Sequence, residues 1–108
     1  MNAAEKATEA FAAIQKNIPE IYERYLEFTK ALSAKGGLTP REKELILVGC
    51  SLMSQCDMCI AIHVEAAAAA GASRDDILQA ALMAVAMGGS PKLMYLTYVF
   101  DALEDLFG

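Results

Sequence analysis

Apolar residues recur every three to four positions along most of the chain, and glycine or proline stands wherever that rhythm stops. Ile21, Tyr25, Phe28 and Leu32 form one such stripe. It predicts a helix from about Glu20 to Ala34, with Pro19 in its first turn and Lys35-Gly36-Gly37 as its stop. Ahead of it, Ala4 to Lys16 reads as a short, loosely amphipathic helix. Thr39-Pro40-Arg41-Glu42 is a start signal: Thr39 as N-cap, Pro40 in the first position and Glu42 closing a capping box. The helix it opens should run to about Ser54. The next spans about Asp57 to Ala70 and stops at Gly71, a residue suited to a left-handed C-terminal cap. Ser73-Arg74-Asp75-Asp76 opens another, which ends at Gly88-Gly89, and Ser90-Pro91 starts a last helix running to the C-terminus. No segment alternates with the period of a strand. The pattern predicts an all-α, single-domain bundle of five or six helices over residues 1–108, with short connections.

Composition adds an expectation about assembly. Apolar residues make up 56% of the chain, above the usual ~45–50%, and much of the excess is alanine, which lets helices approach closely. A domain this small and this apolar is expected to hide surface against copies of itself. Met83, Met87, Met94 and Tyr95 could line a channel, but core or interface is the expectation, since methionine fills irregular gaps, and Tyr98, Phe100 and Leu103 favour subunit packing. Ala66 to Ala70 reads as a close-packing surface.

Charge removes two classes of partner. The net charge is −5 and no cluster of Lys and Arg occurs, so there is no electrostatic footprint for a phosphate backbone and no nucleic acid is expected. The N-terminus lacks the basic patch and apolar stretch of a signal peptide, and no apolar run approaches the ~20 residues that span a bilayer. A cytosolic protein, with no membrane partner, is the expectation.

The candidate chemistry sits in Cys56-Asp57-Met58-Cys59, followed four residues later by His63, the only histidine. Three cysteines cannot close a disulfide framework, and in a reducing compartment a close pair is more often catalytic or metal-binding than structural. With Asp57 as helix cap, Cys56 lies just before the helix and Cys59 in its first turn. There the unpaired N–H groups and the dipole favour a thiolate and can lower a thiol pKa from ~8.5 toward ~7 or below. His63 is at i+4 from Cys59, so the two share a face, and its imidazole can serve as general base. The helices from Pro40 and Asp57 are joined by a very short turn and should be antiparallel. At ~1.5 Å per residue, Glu44 lies about 15 Å before that turn and His63 about 10 Å after it. Glu44 can therefore orient His63, giving a line Glu44–His63–Cys59.

Glu44, then Cys56-x-x-Cys59-x-x-x-His63 in an Ala-rich helical chain, resembles the alkylhydroperoxidase D and carboxymuconolactone decarboxylase family, best from about Thr39 to Gly88. The resemblance implies an all-helical fold, assembly as trimers or hexamers, and thiol-dependent peroxidase activity without a cofactor. Carried over by position, the catalytic residues are Glu44, Cys56, Cys59 and His63. Alkylhydroperoxidase D has a second histidine between its cysteines, and Met58 stands there in this chain, which shortens the proton relay. The implied cycle oxidises one thiolate with a hydroperoxide to a sulfenic acid, condenses it with the second thiol, and returns the disulfide to the dithiol by exchange with an external dithiol. Cys59 is assigned the peroxide-reactive role because His63 is one turn away, and Cys56 the resolving role; the reverse assignment is the rival. A lipoyl-bearing or thioredoxin-like protein is the implied reductant.

Other readings compete. A general dithiol–disulfide oxidoreductase or redox sensor would use the same cysteines without a preference for peroxide. Cys50, Cys56, Cys59 and His63 could form a Cys₃His zinc site in a metal-binding or structural module, although Cys50 shares a face with Ile46, Leu47 and Met53 and is expected to be a small buried core residue. A cofactor-free decarboxylase or lactone enzyme is more distant, because it needs a substrate pocket.

Overall fold

The computed structural model describes residues 2–108 and contains six helices: α1 (Ala3–Asn17), α2 (Pro19–Ala34), α3 (Pro40–Met53), α4 (Asp57–Ala69), α5 (Arg74–Gly88) and α6 (Ser90–Phe107). Among the described residues no strand forms. Helices α3 to α6 make the body, and their buried positions follow helical spacing: Val48 and Leu52 on α3, Ile60, Val64 and Ala67 on α4, Ile77, Ala81 and Ala84 on α5, Leu96, Val99 and Leu103 on α6. Small residues let the axes approach. A Cβ added at Gly49 would lie 3.3 Å from the Ala80 carbonyl oxygen, so α3 and α5 approach backbone to backbone there. Leu103, expected at a subunit contact, is fully buried in the chain's own core, while Tyr98 and Phe100 on the same helix remain exposed.

The stripe on α2 does not reach that core. Ile21, Tyr25, Phe28 and Leu32 are between 52% and 63% exposed, and no residue of α2 is buried. The helix packs mainly on α1 and stands away from the body. Accordingly the radius of gyration is 14.2 Å, against about 13 Å for a compact chain of this length. What ties α2 down is Lys43 of α3, whose ammonium donates to the carbonyl oxygens of Leu32 (2.8 Å), Ser33 (3.1 Å) and Lys35 (2.5 Å). The last turn of α2 has no basic residue of its own, so Lys43 supplies the cation that the dipole's negative end attracts.

Two capping boxes set the starts of α3 and α5. Thr39 accepts from Glu42 N and Glu42 from Thr39 N, and Ser73 and Asp76 do the same. The backbone N–H of Thr39, above all, holds the Glu42 carboxyl below its usual range, and that of Ser73 does so for Asp76. Because these values are depressed in the folded chain, their contribution is fully present above the ordinary carboxylate range and fades as pH falls through it. Thr39→Ala should lower unfolding stability by about 1 kcal/mol, read from the midpoint of urea denaturation at neutral pH.

Candidate active site

The dithiol segment is built by the way α3 ends. Gln55 takes a left-handed conformation (φ 51°), alone among the described non-glycine residues. Its N–H donates to Leu52 O (3.0 Å) and the N–H of Cys56 donates to Ser51 O (3.3 Å), the paired bonds of a Schellman motif. Such motifs favour glycine, and Gly71 fills the same role at the end of α4. With glutamine the left-handed residue costs roughly 1–2 kcal/mol. The turn reverses the chain within three residues, making α3 and α4 adjacent and antiparallel.

It also moves the cap. Asp57 was the expected N-cap, but the extended residue is Cys56 (φ −111°, ψ 100°), and its Sγ accepts from Cys59 N at 3.1 Å. The left-handed turn at Gln55 swings the backbone so that Asp57 is already helical, and its carboxylate accepts instead from Met58 N (2.9 Å). Cys56 and Cys59 are joined as a disulfide, with Cα atoms 5.2 Å apart. Both cysteines and Met58 are half-buried.

One turn further along α4, His63 Nδ1 lies 2.9 Å from Glu44 Oε2 of α3. Both side chains are about a quarter exposed, at 27% and 26%, which weakens solvent competition for the bond without removing water. An ionised Glu44 keeps a proton on Nδ1 and leaves Nε2 as the acceptor. If the ring gains a second proton, the same carboxylate is its counter-charge. The arrangement is thus a cysteine pair at a helix start with an oriented imidazole on the same helix, which in reduced form has the chemistry to hold a thiolate and to move one proton.

The other sequence candidates lie elsewhere. Cys50, expected in the core, is exposed and lines an apolar groove of about 580 Å³ between α3 and α5, with Leu45, Ile46, Met53 and Met83. It faces α5 because Val48 and Leu52 take the inward face of α3. Among the described residues no three His, Cys, Asp or Glu side chains converge as a metal-holding group, so the proposed Cys₃His set is not assembled. Met83, Met87 and Met94 are 71%, 81% and 67% exposed, which places them on the surface rather than in the core. The groove includes none of Glu44, Cys56, Cys59 and His63. Among the described residues no helix is long and apolar enough to cross a membrane.

Two residues at the site, Gln55 and Lys92, are not anticipated from the sequence. Lys92 of α6 donates from Nζ to Gln55 Oε1 at 2.6 Å, 37 positions away. A run of only three residues between two helices, lacking glycine, could have pointed to a left-handed Gln55, but nothing local points to Lys92.

The model of the carboxymuconolactone decarboxylase family matches residues 19–102. Among curated proteins the chain is 28% identical over 103 residues to uncharacterized protein 4 in the cox locus of Paracoccus denitrificans, covering 95% of this chain and 93% of that one. It is 32% identical over 98 residues to an uncharacterized protein of Cupriavidus necator, covering 87% and 86%. A crystal structure of an apo carboxymuconolactone decarboxylase family protein from Legionella pneumophila superimposes with a TM-score of 0.87 at 31% identity, over 95% of this chain and 92% of that one. A second, from Thermotoga maritima, gives a TM-score of 0.81 at 27% identity, over 96% and 88%; that protein is described as "possibly involved in antioxidative response".

Proposed function

The chain belongs to the carboxymuconolactone decarboxylase family, and from that premise we propose that it is a thiol peroxidase of the alkylhydroperoxidase D type. The observation that carries the reading is the placing of a Cys56–Cys59 pair at the start of α4 one turn before a His63 held by Glu44. In the reduced protein His63 takes the Cys59 thiol proton, the thiolate attacks the terminal hydroperoxide oxygen, the O–O bond breaks, and the departing alkoxide takes that proton from His63 to leave as an alcohol. Cys59 is then a sulfenic acid. Cys56 attacks its sulfur, a water departs, and the Cys56–Cys59 disulfide forms. An external dithiol of the lipoyl or thioredoxin-like kind attacks the disulfide and restores both thiols, its own sulfurs ending as a disulfide. The cycle needs no resident cofactor.

Stopped-flow mixing of the reduced protein with cumene hydroperoxide and with hydrogen peroxide tests this. The expected result is loss of two thiols per peroxide, far faster than for dithiothreitol alone. Oxidation no faster than that of a simple dithiol, alongside rapid exchange with dithiols, would instead identify a general oxidoreductase. Met58 favours that second reading, since it cannot relay the proton that a histidine there would carry.

Assembly with copies of itself belongs to the same proposal and is supported by the uncovered stripe of α2. Light scattering should find an oligomer, a trimer or hexamer on the family pattern, and Phe28→Glu should dissociate it. A monomeric wild type at micromolar concentration would remove this part.

A further inference from the structure

The left-handed residue ahead of the dithiol is held from outside the segment. Gln55 is exposed, and its backbone conformation is one that glutamine rarely adopts. Its side-chain oxygen is gripped by the ammonium of Lys92, from the first turn of α6. The aliphatic stem of Lys92 has its own track. A Cβ built on Gly88 would meet Lys92 Cγ at 2.5 Å and Cε at 2.8 Å, with Met53 Sδ at 3.1 Å. The stem therefore lies across a glycine at the end of α5 and beside the last residue of α3, a place that a side chain at position 88 would close. Three helix ends meet at this corner, and the next residue after it is the sulfur-bearing cap, Cys56.

We infer that Lys92 is a positioning residue for the dithiol: lying over Gly88 and bonded to Gln55, it holds the left-handed turn that aims Cys56 at the start of α4. The consequence differs between the two redox states. In the disulfide, the bond to Cys59 itself fixes Cys56. In the dithiol that tether is gone, and only the turn keeps Sγ near the Cys59 N–H from which it accepts in the disulfide form. A sulfur held there carries negative charge more readily, so the clamp stabilises the reduced form more than the oxidised one. The inference rests on the reading of Cys56–Cys59 as a redox pair, and is independent of whether peroxide is the oxidant.

The experiment is equilibration of the intact protein in glutathione buffers. Two glutathione thiols reduce the protein disulfide and become one glutathione disulfide, and the dithiol fraction is read by thiol labelling. A wild type that does not cycle between dithiol and disulfide would defeat the redox reading itself. Given cycling, Lys92→Met and Gln55→Met should each shift the equilibrium toward the disulfide by about tenfold, which is about 30 mV for two electrons. Lys92→Arg, which keeps the donor and the charge, should stay near wild type. Glycine takes a left-handed backbone unaided, so adding Lys92→Met to Gln55→Gly should change nothing further. Gly88→Ala, which changes no charge and displaces the Lys92 stem, should act in the same direction as Lys92→Met. It also keeps the test open if that variant fails to fold. A shift below about threefold for Lys92→Met and Gln55→Met, or any shift toward the dithiol, would overturn the inference. So would a Lys92→Met effect that persists undiminished in the Gln55→Gly background, because Lys92 would then act as a charge and not through the turn.

Discussion

Replacing Cys59 with serine should reduce peroxide turnover on the order of a thousandfold or more, the scale of deleting an enzyme's nucleophile. The replacement of Cys56 should be as damaging to turnover yet leave a different residue of chemistry behind. The two sulfurs differ in their surroundings. Cys59 is in the first turn of α4, and His63 follows it on the same face. It is the sulfur with an imidazole one turn further along the same helix face. Cys56 is the cap, tied to the turn from α3 and half-buried at the helix entrance. The Cys56→Ser protein should therefore still react once with a hydroperoxide, losing its site thiol and accumulating a sulfenic acid that dimedone traps. The Cys59→Ser protein should form no trappable sulfenic acid on the peroxide timescale. Mass spectrometry of both variants after one equivalent of cumene hydroperoxide separates the cases. If Cys59→Ser is the one that traps dimedone, the roles reverse and His63 serves the resolving step.

How far this site could be read from the sequence depends on the range of each interaction. The capping box at Thr39–Glu42 and the helix start at Ser73 are local, span three residues, and lie where the sequence puts them. The Glu44–His63 contact is long-range in sequence, but a short turn between two helices converts it into counting along two rods. Three features escape such reasoning. The periodicity of Ile21, Tyr25, Phe28 and Leu32 defines an apolar face without saying what covers it, and the described residues leave each of the four more than half exposed. Cys50 shares an apolar face of α3, yet Val48 and Leu52 fill the inward side and leave it to the α5 groove. The cap falls at Cys56 and not Asp57 because the φ of Gln55 decides where extended backbone ends, and glutamine carries no propensity that announces a left-handed turn. The device that holds Gln55 comes from α6, and only the packing of α5 and α6 on α3 brings it there.

Among variants that keep both sulfurs, the largest expected loss is at His63. His63→Gln should slow sulfenic acid formation roughly 10²–10⁴-fold, the usual contribution of a positioned acid–base group. Glu44→Gln should cost less, because the amide oxygen can still accept from Nδ1–H and preserve the ring's orientation. What it removes is the counter-charge for the imidazolium. A rate unchanged by Glu44→Gln would take Glu44 out of the mechanism. The double variant distinguishes a line from two separate contributions. If Glu44 works only through His63, Glu44→Gln should add nothing in the His63→Gln background, and the two losses should fail to sum. Additive losses would mean that the carboxylate acts on the dithiol by another route, such as direct repulsion of the thiolate. The 2.9 Å contact between Glu44 and His63 favours the line, since a carboxylate engaged at Nδ1 is committed to the ring.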